Sequence, residues 1–444
     1  MIGVLERCTV LGEALLEGAL FTALERFAGT DLGVLLDHPD GLAGLANEQG
    51  RHAVAWVSSR KMGERMALRG FTRMRTFAVL PSPNRVRWLL PEGSRHVSLA
   101  ALQVYAPYSP AARLLKCVLS FVIRAGWQGW VRHKVTLGSW EALPLEDLVA
   151  ELSGEPDPVF ALSLGTPTSF RKLTIQVMRP SGQILGYIKL PLTQAAIEHL
   201  RHEAEILQRL SEFNSLNPYI PKVLHASEWD DGYILFLSAG PMSPGPVEYE
   251  RLHEDFLSHL RSIHQLIKPG HVLLEEVAAR WHKAETLLDS KWRALGEAAL
   301  ARAKRELDGR TVRCGVAHGD FTPWNTHVGE GRLYVFDWES ASWEAPTSWD
   351  TFHFKTQVAS LLNKKCDMHI PWDCRSDERA SFLLYLLNSA CELSGEESPD
   401  LGVALEYRRQ LLAKLLERYS DHGLVVKCLA RVTKKATPSE VGDT

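Results

Sequence analysis

Asp320, Asn325 and Asp337 have the side-chain types and the spacing that phosphoryl transfer requires. Moving a γ-phosphoryl group needs a carboxylate that orients the attacking hydroxyl and accepts its proton. It also needs oxygen ligands that hold Mg2+ against the nucleotide phosphates. Asp320 suits the first task. Asn325, five residues on, and Asp337, a hairpin's length beyond it, suit the second. Glu339 either contacts a second metal or faces solvent.

The intervening chain explains how these groups can meet. Residues 325–328 read as a short strand, Gly329-Glu330-Gly331 as a turn and residues 332–336 as an apolar return strand, which brings Asp337 back towards Asn325. Upstream, residues 158–190 read as three strands: one ending near Leu164, one over 172–178 and one over 184–190. Lys189 closes the third. A lysine there can reach nucleotide phosphates, provided an acidic partner holds its long side chain. Thr193 can cap a helix to about Leu210, with Ala196, Ile197, Leu200, Ala204, Leu207 and Leu210 at helical spacing. Glu203 and Glu205 on that helix are the candidate partners, or they line a solvated face. The loop from Gly165 to Phe170, with Ser169 in it, would cover phosphates through backbone N–H groups, although its single glycine departs from a GxGxxG pattern.

At this point His318-Gly319-Asp320-Phe321-Thr322-Pro323-Trp324-Asn325, followed by Asp337-Trp338-Glu339, resembles the aminoglycoside phosphotransferase and choline kinase group. The resemblance covers roughly the last two-thirds of the chain. It implies an α+β, bilobal, protein-kinase-like fold with an antiparallel β N-lobe and a mainly helical C-lobe. It also implies ATP or GTP as co-substrate, Mg2+ as cofactor, Glu203 as the partner of Lys189, and adenine bound by backbone groups of residues 238–241. Asp350, in Pro346-Thr347-Ser348-Trp349-Asp350, matches the family's later aspartate that braces the catalytic loop. His318 is expected to support that loop by hydrogen bonding rather than to transfer protons. The implied activity is a small-molecule phosphotransferase acting on a hydroxyl of an aminoglycoside, amino alcohol or sugar. Two alternatives stand beside it: a pseudokinase-type nucleotide-binding adaptor, and a membrane-recruited kinase of a glycan or lipid-linked acceptor.

The chain of 444 residues is long for one domain. The expected organisation is an added α/β N-terminal domain over 1–145, an N-lobe over 146–240 and a helical C-lobe over 241–444. A formal net charge of −3 argues against a dedicated nucleic-acid binder, which would carry a basic surplus. Nucleotide and a small hydroxyl acceptor are the expected partners. Seven cysteines without CxxC spacing suggest neither a disulfide scaffold nor a zinc ribbon. With no secretory-signal pattern and no apolar run of membrane-spanning length, a cytoplasmic location is expected.

Residues 1–145 are less informative. Arg60, Lys61, Arg65, Arg69, Arg73 and Arg75 form a basic stretch that can bind an anion or be a solvated face. The segment 111–130 mixes apolar residues with Arg113, Lys116 and Arg124, and ends in Trp127 and Trp130. The expectation there is a core helix whose cations reach out along its rim, with a membrane surface as the alternative. Further on, helices are expected from about Val247, over 274–307 with a break or bend near Gly296, and over 349–363, 376–394 and 400–420. His253-Glu254 and His202-Glu203 lack the second histidine of HExxH. Cys366, His369 and Cys374 fit no standard zinc spacing. Trp338, Trp343, Trp349 and Trp372 can stack on an acceptor or be core.

Overall fold

The computed structural model describes residues 18–28, 32–35, 53–57, 71–81, 86–105, 107, 110–126, 133–165, 167–230, 232–362, 376–394 and 399–420. Arg60, Lys61, Arg65, Arg69, Trp127, Trp130, Cys366, His369, Trp372 and Cys374 lie outside the described residues.

In chain order the first half runs α1 (Gly18–Ala28), β1 (Leu32–Leu35), β2 (Ala53–Val57), β3 (Arg73–Leu80), β4 (Trp88–Pro91), α2 (Arg95–Ala101), α3 (Pro110–Arg124), β5 (Lys134–Ser139), α4 (Pro144–Ser153), β6 (Val159–Ser163), β7 (Lys172–Met178), β8 (Ile184–Pro191), α5 (Gln194–Ser211), β9 (Val223–Trp229) and β10 (Gly232–Ser238). The second half adds β11 (Ser243–Pro244), α6 (Arg251–Ile263), β12 (Gln265–Pro269), α7 (Gly270–Ala284), α8 (Ser290–Leu307), β13 (Thr311–Ala317), β14 (Thr326–Gly329), β15 (Arg332–Val335), β16 (Ser342–Pro346), α9 (Trp349–Leu362), α10 (Ser376–Leu393) and α11 (Pro399–Ser420). Two compact units result. The first takes Met1–Pro246, Arg251–Phe256 and Pro323–Ala341, and the second takes Val247–Glu250, Leu257–Thr322 and Ser342–Thr444.

In the first unit, strands on both sides of residue 145 belong to one ten-stranded sheet, in the order β1-β2-β5-β3-β4-β6-β7-β8-β10-β9. Every neighbouring pair is antiparallel except β1 with β2. The seam is the pairing of β4 with β6, where Trp88 stands opposite Ser163 and Leu89 opposite Leu162. Period-2 alternation explains how the sheet is covered on both faces. Phe160 and Leu162 of β6 point into a core shared with Phe27 of α1, Phe77 of β3 and Ile188 of β8, while Ala161 joins a second core with Leu119 and Ile123 of α3. Phe27 meets Phe77 and Phe160 edge-on, at ring centroid distances of 6.1 and 5.2 Å.

The charged residues of this region are partly internal. Glu146 on α4 is buried and ion-pairs with Arg73 and Arg75, and Arg75 also donates to the Pro158 carbonyl at 3.0 Å. These two arginines are therefore committed to holding α4 on the sheet. Helix α3 differs from the expected core helix: it buries Leu119 and Ile123 but exposes Leu114, Leu115, Val118 and Phe121. None of the described helices is long and apolar enough to cross a membrane.

The second unit is mainly helical around a core from α7, α8, α10 and α11. It also contains a sheet the sequence did not suggest, β12-β13-β16, whose central strand leads directly into His318. The expected break or bend near Gly296 lies elsewhere. The chain breaks after Ala284, where Asp289 caps α8 by accepting from Trp292 N–H at 2.9 Å. Gly296 sits inside α8 because a Cβ there would fall 2.0 Å from Trp281 Cζ2 of α7. It is a close-packing glycine rather than a helix breaker.

Candidate functional site

The candidate residues fall into two clusters, one in each unit. In the first, sheet register places the lysines. Thr174 of β7 stands opposite Lys189 of β8, and Lys172 opposite Pro191, so Lys172 lies diagonally beside Lys189 on the same face. Glu203 comes from the buried side of α5, whose N-terminus is capped by Thr193 accepting from Ala196 N–H at 3.3 Å. Lys189 Nζ lies 2.6 Å from both oxygens of Glu203 and 2.6 Å from Asp337 Oδ1. Trp338 N–H donates to Glu203 Oε1 at 3.3 Å, and His202 Nε2 lies 2.8 Å from the Ala341 carbonyl, so α5 is tied along the whole segment that carries Asp337.

The hairpin β14–β15, with Thr326 opposite Val335 and Gly329 opposite Arg332, returns the chain as its apolar pattern predicts. Phe336 N–H donates to the Asn325 carbonyl at 3.1 Å, which fixes Asn325 next to the residue preceding Asp337. Asp337 itself is left-handed, at φ 73° and ψ 59°. That region disfavours a residue with a Cβ, so the conformation is held by its surroundings.

Two ammonium groups thus face three carboxylates, since Lys172 pairs with Glu339 and lies 3.4 Å from Asp337 Oδ1. Burial works against charge on Lys189, but Asp337, Glu203 and Glu339 together hold it well above an ordinary lysine. Burial and the neighbouring Asp337 push Glu339 up to about 7, against the pull of Lys172 and Lys189. Carboxylate oxygens of Glu203, Asp337 and Glu339 all lie within 4.8 Å of one another, and such hard oxygen donors suit Mg2+. All three carboxylates are also engaged by lysine, Glu203 and Asp337 by Lys189 and Glu339 by Lys172.

The phosphate-loop candidates are anchored rather than loose. Gly165 has φ +61°, and its carbonyl accepts from Arg87 Nη1 at 2.6 Å. The Ser169 carbonyl accepts from Thr193 Oγ1 at 2.6 Å, and Phe170 stacks on His199 at 4.0 Å. Beyond β10, a Cβ on Gly240 would fall 2.3 Å from the Tyr334 ring, and Tyr334 OH reaches the Ser238 carbonyl at 3.5 Å.

In the second unit, β13 ends at Ala317 and the chain turns through Gly319 at φ +82°. Asp350, buried in the first turn of α9, accepts the N–H of His318 at 2.8 Å and of Gly319 at 3.0 Å. His318 is fully buried, and its Nδ1 accepts Asp320 N–H at 3.2 Å. One helical turn beyond Asp350, His353 places Nε2 at 2.9 Å from Asp320 Oδ1. Lys172 and His353 were missed from the sequence. The signal for His353 was its place three residues after Asp350 on one helix face. Lys172 has no signal until the β7–β8 register is known.

Residues 187–348 match the model of a phosphotransferase enzyme family. A search of curated proteins finds no match. Among solved structures, a thermostable mutant of aminoglycoside phosphotransferase APH(4)-Ia in its apo form is similar at 14% identity, over 62% of this chain and 99% of that one, with a TM-score of 0.40. A ternary complex of such a mutant with AMP-PNP and hygromycin B aligns at 15% identity over 62% and 98%, TM-score 0.41. The GDP and kanamycin complex of an APH(2")-IIIa enzyme aligns at 13% over 63% and 99%, TM-score 0.37. The matched segment, which holds Lys189, Glu203, Asp320, Asn325 and Asp337, is similar to the phosphotransferase enzyme family over that stretch.

Proposed function

We propose that the protein transfers the γ-phosphoryl group of ATP or GTP to a hydroxyl of a small molecule such as an aminoglycoside, amino alcohol or sugar. The observation that carries this reading is the buried Lys189–Glu203 pair with Asp337 on the same ammonium, 2.6 Å from each partner. A buried, doubly paired lysine on a strand is a pre-set cation for phosphate oxygens. Asp337 and Asn325, with Glu339 beside them, would hold Mg2+, which neutralises charge on the transferred group. Gly165 and Ser169 would place loop backbone over the phosphates. Asp320 orients the acceptor hydroxyl and takes its proton, while Asp350 and His318 hold the loop that presents it. Alignment and electrostatics supply most of the acceleration, with no covalent intermediate on the protein.

The test is a nucleotide-consumption screen over amino alcohols, aminoglycosides and sugars, with Asp320→Asn beside the wild type. An acceptor that stimulates consumption should lose about 100-fold or more of its kcat in Asp320→Asn, while ATP binding by calorimetry stays close to wild type. Full activity of Asp320→Asn on a confirmed acceptor would refute the mechanism. Nucleotide binding with no acceptor found would favour the adaptor reading. The exposed stripe of Leu114, Leu115, Val118 and Phe121 favours a second reading, recruitment to an anionic lipid surface, because α3 carries Arg113, Lys116 and Arg124 and no acidic residue. Sedimentation of the full chain with anionic liposomes, compared with Phe121→Glu, tests it: equal sedimentation of the two would remove it.

A further inference from the structure

His353 holds Asp320 from the end of a buried chain of groups. Arg408 of α11 is fully buried, with Nε donating to Ser389 Oγ at 2.7 Å and Nη1 to the Ala404 carbonyl at 3.0 Å. Its Nη2 lies 3.5 Å from Tyr385 OH. A guanidinium can only donate, so the phenol oxygen accepts there; its hydrogen can go to His353 Nδ1, 3.4 Å away, or to the Thr356 and Ser389 hydroxyls that also reach the phenol. On the other side of the ring a carboxylate can only accept, so Nε2–H donates to Asp320 Oδ1 at 2.9 Å. The other carboxylate near this ring, Glu392, is held above its ordinary pKa by burial and accepts from Asn388 Nδ2 at 2.8 Å.

We propose that His353 is a positioning residue for Asp320, an Nε2–H donor whose ring is backed by Tyr385 and Arg408. The inference rests on the reading of Asp320 as the carboxylate that takes the acceptor's proton. In the transfer, the hydroxyl oxygen bonds to the γ-phosphorus as the bond to the β-phosphate oxygen breaks, and the nucleoside diphosphate leaves with the electron pair. The hydroxyl proton passes to Asp320, and His353 keeps its own. The donor bond stops the carboxylate rotating about Cβ–Cγ, so its plane is already set when the hydroxyl arrives. A carboxylate free to rotate would lose that alignment in the transition state, with little effect on nucleotide affinity.

Two measurements on the full chain test this. The first is a long-range 1H–15N correlation spectrum of histidine-labelled protein at neutral pH, with the His353 signals identified by their loss in His353→Gln. A ring that carries a proton on Nε2 is expected; a ring protonated on Nδ1 alone would overturn the inference. The second is the hydrolysis of magnesium ATP, with water as the acceptor. His353→Leu should lower kcat roughly 10- to 100-fold with KM for ATP within about 2-fold, and His353→Gln, whose amide N–H donates from nearly the same place, should recover most of the loss. If the Leu and Gln variants fall together, the donor is not what matters and the inference fails. It also fails if His353→Leu matches wild type while Asp320→Asn is inactive. Wild-type hydrolysis by Asp320→Asn would instead remove the reading of Asp320 on which the inference rests.

Discussion

Lys189 is held from two sides, and the two contacts can be separated by mutation. Lys189→Ala leaves the fully buried Glu203 carboxylate facing Trp338 N–H without its cation, a loss of about 3–5 kcal/mol. Glu203→Ala leaves Lys189 still paired with Asp337 and should cost less. Because removing both charges also removes the stranded one, the double mutant should be more stable than additivity requires, with a coupling of roughly 1–3 kcal/mol in urea unfolding. Strict additivity would mean the two do not act as a unit. Asp337→Ala removes the proposed metal ligand together with one partner of the buried Lys189, so turnover should vanish and the melting temperature should fall, while the protein stays folded. Unchanged turnover in saturating Mg2+ would remove Asp337 from the metal site.

Among the elements, the helix that carries Gly296 shows how packing overrides local propensity. Gly296→Ala improves intrinsic helix propensity by about 1 kcal/mol. Yet the new Cβ would fall within 2.0 Å of the Trp281 ring, so a net destabilisation of about 1–3 kcal/mol is expected in thermal or urea unfolding. A stabilised variant would show that the Trp281 ring can move aside. Periodicity alone read Gly296 as a break or bend because nothing local reveals the tryptophan on α7. The strands β7 and β8, the capped helix α5 and the hairpin β14–β15 were legible because their turns and apolar patterns are local. Strands β12, β13 and β16 were not. The five-residue β12, with Ile267 outward and a proline at its end, has too little alternation to separate it from the end of the preceding helix. Lys172 and His353 escaped for a related reason: each meets its partner only through sheet register or tertiary packing.

For the whole molecule, the three cysteines described differ sharply in environment. Cys117 on α3 is exposed, Cys314 in β13 is buried and Cys391 on α10 is half-buried. Burial pushes the Cys314 thiol up to about 11, and burial with the nearby Glu392 pushes Cys391 up to about 12. At pH 8 iodoacetamide should therefore modify Cys117 first of the three, leaving Cys314 and Cys391 unmodified until the chain unfolds; mass mapping reads this directly. A raised thiol pKa means that the unfolded chain releases a proton the folded one keeps. Stability should thus fall as pH climbs from about 8.5 through 11, and Cys314→Ala should flatten part of that fall. Labelling of Cys314 in the folded protein would contradict its burial.

The seam between β4 and β6 gives the first third of the chain a structural task whatever else it does. Leu164 N–H donates to the Arg87 carbonyl at 2.9 Å, and Leu89 faces Leu162 across the ladder, so residues before 145 cover the edge of the strands that lead to Lys189. A truncation starting near residue 146 would leave β6, an apolar strand flanked by the phosphate-loop candidates, with a row of unpaired backbone groups open to water. Exposed edges of that kind recruit other strands, and the shortened protein should self-associate rather than behave as an independent catalytic fragment.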